Sequence, residues 1–108
     1  MTDKELLELA AKAAGYNFEW FGQHFHIGID ERRFTSWNPL TDDGDALRLA
    51  VKLRLTLQHN YSGVYCYDSP DFCDKSQTMI EVYENDIDIY AATRRAIVRA
   101  AAEIGKSL

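Results

Sequence analysis

The chain has 108 residues, of which 46% are hydrophobic and 27% charged, and its formal net charge is -5 at pH 7. This size and composition are typical of one globular domain and exclude a disordered chain, which would be poorer in apolar residues. The negative charge disfavours general nucleic-acid binding, because that binding depends on Lys and Arg displacing counterions from phosphates. No stretch approaches the roughly 20 apolar residues of a membrane span, and the first residues are typical of a helix cap rather than of a secretory leader. We therefore expect a cytoplasmic protein that does not enter a membrane.

The N-terminal segment predicts a first helix. Thr2 and Glu5 have the spacing of a capping box, and Gly15 follows the helical run as a stop signal. The apolar residues of the run recur at helical spacing and share one face, formed by Leu6, Leu7, Ala10, Ala13 and Ala14. We expect that face to lie on the core.

The period of hydrophobicity then changes from that of a helix to two. Residues 18–21 and residues 24–29 alternate in this way, and Gly22 and Gln23 separate them. Two such runs joined by a glycine-containing pair predict a β-hairpin.

A second helix is predicted to begin near Thr41 or Asp42. Both side chains can accept a hydrogen bond from the free amides of the first helical turn, and the acidic residues there complement the helix dipole. Helical spacing assigns the inward face to Ala46, Leu47, Leu49, Ala50, Val51 and Leu53.

The second half of the chain predicts three strands. Residues 53–58 alternate in hydrophobicity, so the chain should leave the second helix directly into a strand. Residues 61–63 can turn it into the next strand, at residues 64–67. A polar loop over residues 68–76 then precedes the last strand, at residues 78–83.

A third helix is predicted over residues 87–104, and its exposed row contains Arg95, Arg99 and Glu103. Gly105 follows the predicted end, where glycine is a common stop. The candidate caps at the start are Asn85, Asp86 and Asp88.

Together these elements predict a single α/β (α+β) domain over residues 1–108. Three helices pack on a mainly antiparallel sheet of four to five strands, in the order α-β-β-α-β-β-(β)-α. Hairpin connections favour antiparallel pairing, and the apolar helix faces require a sheet to cover.

Two sequence blocks carry a family resemblance. The residues from Trp37-Asn38-Pro39 to Leu53, and those from Ala91 to Lys106, resemble the phage ABA sandwich domain, a family of small bacteriophage and prophage proteins of unknown function. The capped first helix followed by Gly15 also fits that family. The resemblance implies an α/β sandwich, a phage origin and hence the host cytoplasm. It implies no catalytic residues, because the family has none that are accepted.

Histidine and cysteine residues form the first candidate site. His24 and His26 lie two apart on a predicted strand and so point to one face, and His59, Cys66 and Cys73 could complete a set of four ligands. Their spacing matches no zinc pattern, so a solvated strand face is the alternative. We predict no metal, no cofactor and, in a reducing cytoplasm, no disulfide.

Acidic residues form the second candidate site. Asp42, Asp43 and Asp45 suggest a calcium loop, but counting from Asp42 places Leu53 at the twelfth position, where an EF-hand needs glutamate. Helix capping explains these acids better. Asp68, Asp71 and Asp74 have the spacing of a solvated loop. No nucleophile elbow and no glycine-rich phosphate loop is present, so we predict a protein that is not an enzyme.

Binding residues are predicted in two places. Pro39 stiffens the loop over residues 36–40, so Trp37 and Asn38 could be presented to a partner, unless Trp37 packs under the second helix as a staple. Arg94 and Arg95 could hold a phosphate or a carboxylate, unless they pair with acids of the same chain.

The chain is also rich in large amphipathic rings, namely Tyr16, Trp20, Trp37, Tyr61, Tyr65, Tyr67, Tyr83 and Tyr90. Such rings are common anchors of interfaces, although most of them should be core or half-buried. Two functions follow. The first is a phage-encoded accessory protein, a non-enzymatic interaction module that acts on a host protein in defence or metabolism. The alternative is a protein that binds or sequesters a nucleotide-like small molecule. A homodimer is compatible with either function.

Overall fold

The computed structural model describes residues 2–28, 32–59, 63–67, 79–82 and 88–108, and gives only the backbone for residues 79–82. In chain order these residues form α1 (Asp3–Ala13), β1 (Phe18–Phe21), β2 (His24–Gly28), β3 (Phe34–Ser36), α2 (Asp43–Leu53), β4 (Thr56–His59), β5 (Gly63–Tyr67), β6 (Met79–Val82) and α3 (Ile89–Lys106). The predicted α+β class, with three helices and antiparallel strands, is confirmed.

The strands form two sheets of three instead of one sheet of four or five. The first sheet has the order β1-β2-β3 and the second β4-β5-β6, and every neighbouring pair is antiparallel. Within each sheet every strand pairs with the next one in the chain, and α2 separates β3 from β4. The sequence analysis missed β3, which at three residues is too short to show an alternating pattern.

The start and end of α1 agree with the predicted signals. The Thr2 hydroxyl accepts a hydrogen bond from the Glu5 amide at 3.2 Å, and Gly15 adopts a φ of 77°, which an L side chain rarely does. The buried face differs from the prediction at two positions, because Ala11 is buried and Ala13 is only half-buried.

The predicted hairpin is confirmed. Phe18 is paired with Ile27, and Phe21 with His24, at the two ends of the β1–β2 ladder. The turn between them contains Gly22 at a φ of 64°, which glycine adopts without strain.

The cap of α2 is confirmed, but part of its predicted inward face is wrong. The Asp42 carboxylate accepts a hydrogen bond from the Asp45 amide at 2.7 Å. Leu47 and Val51 are 61% and 68% exposed. The buried stripe is narrower than predicted and comprises Ala46, Leu49 and Ala50.

The chain turns between α2 and β4 instead of continuing directly from the helix into the strand. Arg54 ends the helix in the left-handed conformation, with a φ of 55°, and its amide donates to the carbonyls of Ala50 and Val51. The strand therefore begins at Thr56, and not at the predicted residue 53.

The end of α3 was predicted wrongly. Asp88 caps the helix, because its carboxylate accepts from the Tyr90 amide at 2.9 Å. Gly105 does not stop the helix but lies inside it, buried against α1. A Cβ at Gly105 would overlap the carbonyl oxygen of Leu9, so glycine here allows two helices to approach closely.

The core lies where α1, α3 and α2 meet the two sheets. Alanine is the commonest buried residue of the three helices, and the larger side chains come from helices and strands alike. The principal members are Leu6, Leu7, Ala10, Phe25, Ile27, Trp37, Leu49, Val64, Ala96, Ile97, Val98 and Ala101. Within the described residues, no helix combines the length and apolarity that crossing a membrane requires. The predicted loop over residues 68–76, its Cys73, Asp68, Asp71 and Asp74, and the candidate caps Asn85 and Asp86 lie outside the described residues.

Candidate functional site

Trp37, the first predicted binding residue, is buried. It is 4% exposed, and its amide donates to the Phe25 carbonyl at 3.0 Å, which extends the β2–β3 ladder by one residue. Its ring centroid lies 5.8 Å from those of Tyr16 and Phe25. The loop therefore does not present the indole to solvent, and the structure agrees with the alternative of a packed tryptophan.

Asn38 and Pro39 form the turn that starts α2. The Asn38 amide donates to the Asp45 carboxylate at 2.9 Å, and the Asn38 side-chain oxygen accepts from the Leu40 amide at 3.0 Å. Its carbonyl accepts from the amides of Thr41 and Asp42. Pro39 is fully buried. These bonds satisfy the backbone of a tight turn, so both residues have a structural role.

Arg94 fastens α3 to the start of α2. Its Nε donates to the Leu40 carbonyl at 2.9 Å and its Nη1 to Asp43 Oδ1 at 2.6 Å, while Nη2 lies 4.0 Å from Asp88 Oδ2. Its side chain is only 15% exposed. The guanidinium is thus engaged by the chain itself and is not open to an external phosphate.

Arg95 points to a different neighbour and does not form one site with Arg94. Its Nη2 donates to Asp3 Oδ1 at 3.1 Å, which joins α3 to the first turn of α1. Both groups of this pair are largely exposed. The two arginines therefore do not form one site in this structure, which has the alternative of pairing with acids of the same chain.

The candidate metal ligands are not assembled in the part of the chain that the structure describes. No three His, Cys, Asp or Glu side chains there are placed to hold a metal ion. His24 and His26 share the outer face of the first sheet, whereas the His59 ring is 2.8 Å from the Thr93 hydroxyl of α3. Cys66 is fully buried on β5.

An open cleft of about 970 Å³ lies between one end of the first sheet, the α1–β1 turn and one side of α2. We call it the Tyr16 cleft. Tyr16 and Trp37 are among its lining residues, and the polar and charged residues of the lining are Asn17, Thr35, Ser36, Asn38, Thr41, Asp42, Asp45, Arg48 and Lys52. The β2–β3 register places Ile27 and Thr35 side by side, on the same inner face as Trp37.

Along the α2 wall of the Tyr16 cleft, two acidic residues are followed in the chain by two basic ones. Asp45 Oδ1 accepts from Arg48 Nη2 at 2.8 Å, and this hydrogen bond raises the pKa of the Arg48 guanidinium above its ordinary value. Asp42 Oδ2 lies 3.9 Å from the same Nη2. One turn further along, the Lys52 ammonium lies 4.9 Å from the Tyr16 ring centroid. Arg48 and Lys52 were not predicted as site residues, because the contact of Lys52 with Tyr16 of the α1–β1 turn is a tertiary one.

A second surface feature lies on the opposite side of the first sheet. Phe21, His26 and Phe34 share the outer face of β1, β2 and β3, and we call them the outer aromatic face. The Phe21 ring lies 4.7 Å from that of His26 and 6.3 Å from that of Phe34. Phe21 and Phe34 are 49% and 40% exposed.

The sequence held a signal for the outer aromatic face. Trp20 and Phe21 are consecutive in a predicted strand, and consecutive strand residues point to opposite faces, so one aromatic ring had to lie outside. Phe34 had no such signal, because β3 was not predicted.

The chain was compared with protein-family models, with curated proteins and with solved structures, and none of the three comparisons finds a match. The resemblance to the phage ABA sandwich domain therefore stays a prediction from two sequence blocks.

Proposed function

We propose that the protein is a phage-encoded, non-enzymatic interaction module that binds a host protein through the outer aromatic face. The observation that carries this proposal is the contact of Phe21, His26 and Phe34 on a solvent-facing sheet surface. The phage origin is supported only by the resemblance of two sequence blocks.

The adjacent, solvent-exposed rings of the outer aromatic face can bind an apolar patch on a protein partner. Burying Phe21 and Phe34 in an interface would remove apolar area from water, which contributes roughly 25 cal/mol for each Å². Interfaces are enriched in such rings, and contiguous exposed apolar patches mark interaction sites. Their position on a paired sheet fixes the backbone, so little conformational entropy is lost on binding.

The overall charge indicates the kind of partner. At a net charge of -5, two copies of the chain repel each other, whereas a basic protein surface is attracted. We therefore expect a basic host protein with an apolar patch, and a rate of association that falls as salt is added.

A matched pair of double variants tests this proposal. Phe21→Ser/Phe34→Ser removes the two exposed rings, and Leu47→Ser/Val51→Ser removes two apolar side chains that are even more exposed, on α2. Each purified protein is immobilised and challenged with host lysate, and captured proteins are quantified by mass spectrometry. We expect a basic protein that binds the wild type and the α2 variant but is lost from the Phe21/Phe34 variant.

Two results contradict the proposal. One is a set of captured proteins that the Phe21/Phe34 variant retains unchanged. The other is a concentration-dependent dimer in sedimentation that this variant abolishes, because a second copy of the chain would then cover the face.

A further inference from the structure

We propose that the Tyr16 cleft binds a small anion that carries a planar ring, with its phosphate or carboxylate held by Arg48 and Lys52 and its ring against Tyr16. The cleft volume of about 970 Å³ is large enough for such a molecule. This site lies on the inner side of the first sheet and is separate from the outer aromatic face.

The two cations of the Tyr16 cleft have N–H groups that are not used by its acids. Asp45 uses one oxygen for the Arg48 guanidinium and the other for the Asn38 amide, and Asp42 accepts from the Asp45 amide. Lys52 forms no ion pair with a carboxylate among the described residues, and its ammonium lies 4.9 Å from the Tyr16 ring centroid. Lys52 and the unused N–H groups of Arg48 are therefore donors on this wall that can bind an anion.

The two cations of the α2 wall repel each other, and a bound anion would offset this repulsion. Arg48 and Lys52 are four residues apart and lie on the same side of α2, and like charges at this spacing destabilise a helix. A phosphate or carboxylate between them would convert this repulsion into two charge-assisted hydrogen bonds. Arg48 retains guanidinium N–H groups for the anion, because it bonds to Asp45 through Nη2 and its side chain is 69% exposed.

The aromatic part of the cleft accounts for the planar ring. Tyr16 and Trp37 meet edge to face, with an interplanar angle of 78°, so the half-buried Tyr16 ring is held in one orientation. Thr35, on the inner face of β3, and Asn17 are polar residues that line the cleft. A nucleotide-like ligand would therefore bind at Arg48 and Lys52. It would not bind at Arg94 and Arg95, which pair with acids of the chain.

Nuclear magnetic resonance can follow this binding through the two tryptophans. Trp37 lines the cleft and its ring contacts that of Tyr16, whereas the Trp20 indole donates to Glu8 Oε1 at 2.9 Å and serves as an internal reference. The probes are adenosine monophosphate, 4-hydroxybenzoate, adenosine and inorganic phosphate, each titrated to millimolar concentration. We expect a saturable shift of the Trp37 signal, but not of the Trp20 signal, with adenosine monophosphate or 4-hydroxybenzoate.

Two lysine variants separate the cleft from general charge effects. Lys52→Met removes the cation over Tyr16, and Lys4→Met removes a similar cation that lies 5.4 Å from the Trp20 ring centroid, outside the cleft. We expect Lys52→Met to weaken binding by about tenfold, since a charge-assisted hydrogen bond is lost, and Lys4→Met to leave it unchanged. Lys52→Arg should restore binding, which confirms that the charge, and not the fold, is responsible.

The inference is overturned if neither anion gives a saturable Trp37 shift, or if Lys52→Met and Lys4→Met weaken binding equally. It is also overturned if adenosine alone binds as tightly as its monophosphate, or if inorganic phosphate binds as tightly as either aromatic anion. A response to only one of the two aromatic anions supports the site and distinguishes phosphate from carboxylate. None of these outcomes depends on Phe21 or Phe34, so the host-protein proposal is tested separately.

Discussion

Gly105 of α3 packs directly on the backbone of Leu9 in α1. A Cβ at Gly105 would overlap the Leu9 carbonyl oxygen and lie only 2.9 Å from its carbonyl carbon. The obstacle is backbone in the middle of a helix, so it cannot move away as a flexible side chain would. The neighbouring helix surfaces are rich in alanine, including Ala10, Ala11 and Ala101, which allows the same close approach along the helix pair.

We expect Gly105→Ala to destabilise the protein. Alanine is the better helix former by about 1 kcal/mol, but the added methyl group must push α1 and α3 apart, and overpacking of this kind costs roughly 1–3 kcal/mol or more. Urea denaturation followed by circular dichroism measures the difference. A stabilised protein would show that the two helices can separate without loss of packing.

Gly44→Ala is the matched control, because this glycine is also helical. A Cβ there would lie 3.2 Å from the Arg48 guanidinium nitrogens and from Asp42 Oδ2, which are side-chain ends that can shift. We expect an unchanged or slightly higher free energy of unfolding, by up to about 1 kcal/mol.

A second prediction concerns Trp37. Trp37→Ala should lower the free energy of unfolding by about 3–5 kcal/mol, because it removes a buried ring that contacts Tyr16 and Phe25. Phe21→Ala, at a half-exposed ring on the outer aromatic face, should cost about 1 kcal/mol or less. Thermal and urea unfolding of the two variants provide the comparison. Equal losses would mean that the Trp37 ring contributes little to the core.

The caps and the hairpin could be predicted because their signals are local. Thr2 and Asp42 bond to amides three residues away, and Gly22 supplies the turn conformation within its own pair of residues. Such features depend on short stretches of chain, which a single sequence contains in full.

Tertiary contacts account for what the sequence analysis missed. Gly105 has the position of a helix stop, and only the approach of Leu9 explains a glycine inside the helix. Leu47 and Val51 have helical spacing with the buried residues, but the width of the buried stripe depends on which elements cover α2. The Tyr16 cleft could not be predicted for the same reason. Lys52 contacts Tyr16, which lies 36 positions away in the chain.

A third prediction tests the cap of α2. Asp42→Ala removes the acceptor for the Asp45 amide and should cost about 1 kcal/mol, whereas Asp42→Ser retains an acceptor and should cost much less. Chemical denaturation of both variants gives the comparison. The idea fails if serine and alanine destabilise the protein equally.

The last prediction contrasts two consecutive arginines. Arg94→Ala leaves the part-buried Leu40 carbonyl without its donor and Asp43 without its ion pair, so we expect a loss of about 2 kcal/mol. Arg95→Ala removes only an exposed pair with Asp3, and exposed pairs contribute about 0–1 kcal/mol.

Salt provides an independent check of this contrast. The exposed Arg95 pair should be screened, so the effect of Arg95→Ala should vanish in high salt. The loss of stability from Arg94→Ala should largely persist in high salt. The bond to the Leu40 carbonyl is shielded from solvent, because the Arg94 side chain is only 15% exposed. Urea denaturation at low and high salt measures both effects. If the two variants lose the same stability at each salt concentration, Arg94 does not fasten α3 to the start of α2.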